Sequence, residues 1–386
     1  MAKRVLIFGE YGTLNGGENS LLAIVPELIR IGWELSAAIP CPSPFASALR
    51  EASVNVIDLP SFENAGQRLS QTEIRDALAV VLKQEQPDLI HCNSLSTGRL
   101  LGPVASELGI PSLGFLRDIL KLSKTAIADL NRLGRLIAVS SATRQWHCDQ
   151  GLDPERTFVS HNGVDTTRFC PANMQSPDLA TGSNAIREEL KIPPSSPILL
   201  SVGQIGMRKG VDTLLESYLA IADTFPATHL LIAGARHSNK QEAIEYEQRA
   251  HELGQTSAHC DKIHWLGTRH DTPDLMRAAT ILIHAARQEP LGRVLLEAAA
   301  SALPIVTTRV GGSPEIFAQK NLDWLLVPPN TPQALATAAT RLLSDSKLRD
   351  NIGAALRQRA SLSFSVEQSG RRLELHYRQL AGLDDA

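Results

Sequence analysis

The chain has 386 residues, enough for two domains, because single hydrophobic cores rarely grow past roughly 250 to 300 residues. Its 38 basic and 41 acidic residues give a formal net charge of -3, which excludes nucleic-acid recognition through a broad basic footprint and requires any phosphate site to be local. The cysteines Cys41, Cys92, Cys148, Cys170 and Cys260 are odd in number and form no C-x2-C pair, so neither a disulfide framework nor a zinc site is indicated and the cytoplasm is the simplest location.

Lys3 and Arg4 precede a short apolar run, Val5 to Phe8, which reads as a buried strand and not as a signal-peptide core. No run of about 18 apolar residues follows anywhere, so a soluble chain is expected. Peripheral contact with the inner face of the membrane stays open, since a modest basic patch needs no transmembrane helix. Gly9 to Gly17 is a glycine-punctuated loop, and Glu18 to Ile31 carries helical periodicity. Strands are expected at Glu34 to Ile39, Val54 to Leu59, Leu89 to His91, Ser112 to Phe115, Leu136 to Ser140 and Arg156 to Val159. Helices are expected at Gln71 to Gln84 and Leu100 to Leu108, giving the rhythm of a parallel sheet covered on both faces.

The stretch Pro171 to Pro197 holds five prolines with Ser, Asn and Gly, and marks a linker with one short helix, Asn184 to Leu190. Strand and helix then alternate again. Strands are expected at Ile198 to Gly203, Thr228 to Ala233, Ile263 to Leu266 and Ile281 to His284, with helices at Val211 to Phe225, Gln241 to Leu253 and Pro273 to Ala278. The tail has helical character over Pro332 to Leu343 and Ser365 to Leu380. The expected organisation is α/β: two Rossmann-like doubly wound domains at 1–170 and 198–364, a linker at 171–197, and a final helical segment at 365–386.

The most informative residues are Glu289-Pro-Leu-Gly-Arg-Val-Leu-Leu-Glu297. Pro290 suits a first helical turn, so a helix is expected to begin near Leu291. Its free amides at Leu291, Gly292 and Arg293 would favour a phosphate. Upstream, Gly203-Gln204-Ile205-Gly206-Met207-Arg208-Lys209-Gly210 follows a strand and leads into a helix, which is either an anion site or a solvated basic turn. In the first half, Asn15-Gly16-Gly17-Glu18 is a second glycine loop or a structural turn. His91 and the pair Arg117-Asp118 lie at strand carboxyl ends, where open α/β sheets bind ligands. His91 reads equally well as a packed core histidine. Gly9-Glu10-Tyr11-Gly12 has the wrong spacing for a dinucleotide fingerprint.

The E-x7-E helix, the strand Ile305 to Thr308 and the Val310-Gly311-Gly312-Ser313-Pro314-Glu315 turn together resemble the signature of glycosyltransferase family 4. These are retaining, nucleotide-sugar-dependent enzymes of GT-B architecture, in which the two domains face a central cleft and the last helix crosses back to the first domain, the acceptor side. The resemblance implies that Glu289 contacts the transferred sugar and that Glu297 holds the ribose. The amides near Leu291 and Gly292 would cradle the distal phosphate, and the Gly267-Thr268-Arg269 loop would receive the base through main-chain groups. Lys209 matches the family's diphosphate lysine, whereas Gln204 stands where the family has arginine, so that Arg208 becomes the candidate for the second charge. Gly16 and Gly17 match its Gly-Gly loop, and His91 its D-x-I-H histidine. Arg117 replaces a second histidine and, with Asp118, is read as an acceptor-side or cleft residue.

No D-x-D triplet occurs in the chain, so no metal cofactor is expected, with lysine and arginine neutralising the diphosphate. The resemblance implies front-face hexosyl transfer from a UDP-sugar, UDP-glucose being the default and a GDP-sugar such as GDP-mannose the second choice. A polysaccharide or lipid-linked oligosaccharide is the acceptor class, as in polysaccharide biosynthesis. A non-catalytic nucleotide-sugar-binding protein and a nucleotide-sugar epimerase on the same scaffold are the alternatives.

Overall fold

The computed structural model describes residues 3–59, 62–64, 67–174 and 182–383. Residues 175–181 of the expected linker and 384–386 of the expected final segment lie outside the described residues, as do 1–2, 60–61 and 65–66. The chain divides into two compact units, residues 1–163 with 366–386, and residues 164–365.

The first unit opens with β1 (Arg4–Phe8), α1 (Gly16–Arg30), β2 (Glu34–Ile39), α2 (Pro44–Glu51) and β3 (Asn55–Asp58). A short antiparallel pair, β4 (Glu63–Asn64) and β5 (Gln67–Arg68), leads to α3 (Gln71–Glu85), β6 (Leu89–Cys92), α4 (Leu95–Leu108) and β7 (Ser112–Leu116). It continues through α5 (Lys124–Leu130), β8 (Arg135–Ala138), α6 (Ser141–Cys148) and β9 (Thr157–Val159). Among the described residues the main sheet has seven parallel strands in the order β3-β2-β1-β6-β7-β8-β9. Val5, Leu6 and Ile7 of β1 are fully buried, as expected of a central strand covered on both faces. The C-terminal helix Val366–Leu380 belongs to this unit and packs on α1, with Tyr377 edge-on to Trp33 at 5.1 Å between ring centroids.

The second unit runs α7 (Gly182–Glu189), β10 (Ile198–Val202), α8 (Val211–Thr224), β11 (His229–Ala233), α9 (Gln241–Gln255), β12 (Ile263–Gly267), α10 (Thr272–Ala278) and β13 (Ile281–His284). It closes with α11 (Arg293–Ala300), β14 (Ile305–Thr308), α12 (Ser313–Ile316), β15 (Leu326–Val327), α13 (Pro332–Ser344) and α14 (Ser346–Ser363). Its parallel sheet has the order β12-β11-β10-β13-β14-β15 among the described residues.

Three features depart from or add to the expected organisation. The described parts of 164–197 are built into the second unit. Arg187 of α7 donates to the carbonyls of Pro193 and Ser196 at 3.0 Å each and of Ala278 at 3.3 Å, while Arg357 reaches Phe169 O at 3.3 Å. Side chains thus dock the described parts of this proline-rich stretch. Second, the helix carrying Glu297 begins at Arg293, not near Leu291, because Gly292 holds φ +99° and ψ 74°, a left-handed conformation no helix continues through. Pro290 therefore lies ahead of the helix. Third, the eighteen-residue helix α14 was not anticipated, because its buried face is made of Ile352, Gly353, Leu356 and Ala360, too small and sparse a stripe to give a strong period.

Candidate active site

In the second unit the strand order reverses between β10 and β13, which lie side by side. Loops leaving the carboxyl ends of such strands diverge and open a crevice for ligands. The loop after β10 carries Gln204, Arg208 and Lys209, and the loop after β13 carries Arg287, Glu289, Leu291 and Gly292. Gly210 closes the first loop at φ +65°, and a Cβ there would lie 2.1 Å from the Ala285 carbonyl oxygen, so only glycine lets α8 start this close to the end of β13. Arg287 fastens the two loops together. Its N–H donates to Arg208 O at 2.8 Å, and its guanidinium reaches Met207 O at 2.7 Å and Asp212 Oδ2 at 2.8 Å.

These constraints bring a buried charged group together. Lys209 Nζ donates to Glu289 Oε2 at 2.5 Å, and His284 Nε2 lies 2.8 Å from the same oxygen. Glu289 is 6% exposed and His284 3%. Burial alone would raise the Glu289 carboxyl, but the charge of Lys209 and the hydrogen bond from His284 hold it well below the usual carboxylate range. Burial pushes the His284 ring below the usual histidine range, and Lys209 adds to that against the opposing pull of Glu289. Glu289 is thus ionised and His284 neutral near pH 7. An ionised carboxylate only accepts, so His284 Nε2 carries the hydrogen. Both bonds fall on Oε2. Among the described residues Glu289 Oε1 has no hydrogen-bond partner, and it is not sealed from solvent.

Glu297 repeats this pattern on α11. It is 8% exposed, and Arg293 Nε meets its Oε1 at 2.8 Å, which leaves Oε2 without a hydrogen-bond partner among the described residues. Burial raises its carboxyl above the usual range, against the charges of Arg293 and Arg168. No side chain caps the helix, and the amides of Leu291, Gly292, Arg293 and Val294 have no partner among the described residues. That end can receive an anion. Leu291 as a whole is 1% exposed, so its side chain is packed into the unit. The carbonyl of Glu289 is held by the Gly312 N–H at 3.0 Å.

Arg269 is engaged by Glu189 at 2.6 and 2.9 Å and by Asp271 at 2.9 and 2.6 Å, so its guanidinium joins α7 to the loop after β12, in keeping with a loop that would offer a ligand its main chain. Gln204, where a cation was absent from the pattern, contacts His237 Nδ1 at 2.8 Å.

The first unit gathers its candidates at the carboxyl ends of β1, β6 and β7. Gly16 and Gly17, expected in a loop, are the first residues of α1, whose start is held by Asn15 N–H to Glu18 Oε2 at 3.0 Å. Gly17 packs against Arg117, whose Cδ would lie 3.1 Å from a Cβ at that position. Arg117 itself donates to Asn93 O and Oδ1 at 3.0 and 2.9 Å and to Asn162 Oδ1 at 2.9 Å, above the ring of Phe115. Asp118 is exposed, and its carbonyl accepts from His147 Nε2 at 2.8 Å. His91 is fully buried, stacked on Phe115 and 2.5 Å from the Tyr377 hydroxyl; burial lowers its ring to about 3, and its Nε2 has no hydrogen-bond partner among the described residues.

His284 and Arg287 escaped the sequence reading. The strand-end rule that singled out His91 applies equally to His284, the last residue of β13, and there it finds a histidine on Glu289. Among the described residues no group of three or more His, Cys, Asp or Glu is placed to hold a metal ion, and no helix is long and apolar enough to cross a membrane.

Two parallel α/β units, with the acids Glu289 and Glu297 at the strand switch point of the second, define the GT-B class of glycosyltransferases. The family model described as "Glycosyltransferase Family 4" matches residues 14–168, and that described as "Glycosyl transferases group 1" matches 182–359. The chain is 31% identical over 326 residues to the alpha-maltose-1-phosphate synthase of Mycolicibacterium smegmatis, covering 78% of this chain and 81% of that protein. Its fold is similar to that of Anabaena HepE in complex with UDP-glucose, with a TM-score of 0.81 at 21% identity over 97% of this chain and 99% of the other. It is also similar to a glycosyltransferase from Rickettsia africae, with a TM-score of 0.83 at 20% identity over the full length of both chains. The chain belongs to glycosyltransferase family 4 and is a glycosyltransferase.

Proposed function

We propose that the protein transfers a hexose from a UDP-sugar, UDP-glucose first and a GDP-sugar second, to a saccharide or lipid-linked acceptor with retention of anomeric configuration. The observation that carries this reading is the pair of buried glutamates, each with one oxygen left for a ligand, on either side of the unpaired amides that open α11. In this reading Glu289 Oε1 meets the sugar hydroxyls and the positive charge developing at the anomeric carbon. Glu297 Oε2 accepts from the ribose hydroxyls. Lys209, Arg208 and the α11 amides stabilise the departing diphosphate, whose oxygen takes the acceptor's proton on the same face. Double displacement would require a carboxylate nucleophile on the opposite face, and Glu289 is the one candidate the sequence offers. With cations supplied by side chains, transfer proceeds without a divalent metal.

The test is a thermal-shift panel of UDP, GDP, ADP, UDP-glucose, UDP-GlcNAc and GDP-mannose on wild type and Glu297→Ala, followed by transfer assays in EDTA. Stabilisation by one nucleotide series, lost in the variant, is expected. Silence of every nucleotide at about millimolar concentration, well above the Kd range that would give a resolvable shift, counts against a nucleotide-sugar site of either kind, whereas stabilisation without transfer or hydrolysis moves the assignment to the non-catalytic alternative. Strict dependence of transfer on added Mn²⁺ or Mg²⁺ removes the metal-free mechanism.

A further inference from the structure

We infer that His284 is a positioning residue that keeps Glu289 in place when Lys209 leaves it for the donor. The inference rests on the function proposed above and concerns how the same site changes on loading. Lys209 Nζ and His284 Nε2 share one oxygen, Glu289 Oε2, at 2.5 and 2.8 Å. Lysine has three donor hydrogens and a flexible stem, so it can turn toward a diphosphate while exchanging one anion for another. Glu289 would then be a buried carboxylate deprived of its counter-ion, free to rotate or to take up a proton, unless a second donor held it.

His284 is built to be that donor. It closes β13, its carbonyl accepts from Thr307 Oγ1 at 3.1 Å in the neighbouring strand, and its side chain is 3% exposed, so the ring sits on the sheet and not on a mobile loop. As a neutral Nε2–H donor it adds no competing positive charge near the phosphates. With Oε2 fixed by the ring, Oε1 stays aimed at the sugar whether or not Lys209 is paired. Lysine therefore serves binding and leaving-group stabilisation, and histidine serves the aim of the acid.

Paired variants separate this role from a structural one. The side-chain amide of His284→Gln reaches about as far as Nε2, whereas that of His284→Asn ends near Nδ1 and falls short of Oε2; both are polar and of similar size. His284→Asn is expected to lower kcat about tenfold or more while the donor KM and the UDP-induced thermal shift change less than about threefold, because misaiming a reacting group costs turnover more than ground-state binding. His284→Gln is expected to recover most of that loss. Equal kcat in His284→Asn and wild type, or equal defects in both variants, overturns the inference. A wild type inactive with every donor instead removes the functional reading beneath it. Independently of turnover, ¹⁵N spectra of the histidine rings are expected to report a neutral Nε2–H tautomer for His284 both without and with saturating UDP; an Nδ1–H or doubly protonated ring overturns the proposal.

Discussion

At the carboxyl edge of the second unit's sheet, Glu289 and Glu297 each keep one oxygen without a partner among the described residues, and the first amides of α11 have none there either. At the equivalent edge of the first unit, Arg117 holds Asn93 and Asn162, and His91 is sealed between Phe115 and Tyr377. A place at a strand end is common to both. What separates them is where the unsatisfied atoms lie: at the first edge Arg117 is taken up as framework and the His91 ring keeps Nε2 buried without a hydrogen-bond partner among the described residues, whereas at the second the glutamate oxygens left over can meet a ligand.

The largest expected effect lies at the second edge. Lys209→Ala should lower turnover about 10²-fold or more, the scale of one lost transition-state donor, in a steady-state assay with the donor identified by thermal shift. A loss below about threefold would erase the distinction drawn for that edge. At the first edge, Arg117→Ala should cost about 2 kcal/mol of stability, since it breaks hydrogen bonds from a charged group, while leaving the affinity for UDP unchanged. Weakened UDP binding at unchanged stability would make Arg117 a ligand group and break the comparison.

The smallest effect separates the two acids from each other. The Glu289 carboxyl is lowered in the folded state, so it adds stability that is present above the unfolded glutamate value of about 4.3 and lost as pH falls through the folded value. The Glu297 carboxyl is raised, so the folded state holds its proton longer and stability falls as pH rises from about 4.3 through the folded value. Melting temperatures of Glu289→Gln and Glu297→Gln, measured against wild type across the acid range, should therefore diverge with opposite slopes. Slopes of the same sign would show that the two environments do not differ as described.

Much of this organisation was legible in the chain. Continuous apolar runs such as Val5 to Phe8 and Ile198 to Leu200 mark strands buried on both faces, and turn chemistry separates them from helices whose ends shift by one or a few residues. Glu289, Glu297 and Lys209 stood out because residue type and spacing carry their chemistry. Less legible were helices with weak stripes, such as α14, and short ones, such as α6, whose start is set by the Ser140 side chain accepting from Thr143 N at 3.0 Å. Arg117 looks like a ligand residue in sequence because a charge carries no mark of whether an amide oxygen will meet it.

The sequence by itself determined two parallel α/β halves, the alternation that builds them and the acid pair of the signature, because periodicity and motif spacing are local properties of the chain. Only the tertiary structure decided that Gly292 delays the helix, that Lys209 and His284 converge on one oxygen of Glu289, and that His91 meets Tyr377 across 286 positions of sequence. Those outcomes depend on which distant groups arrive at the same buried atom, and burial without water makes each such meeting decisive for charge and for role.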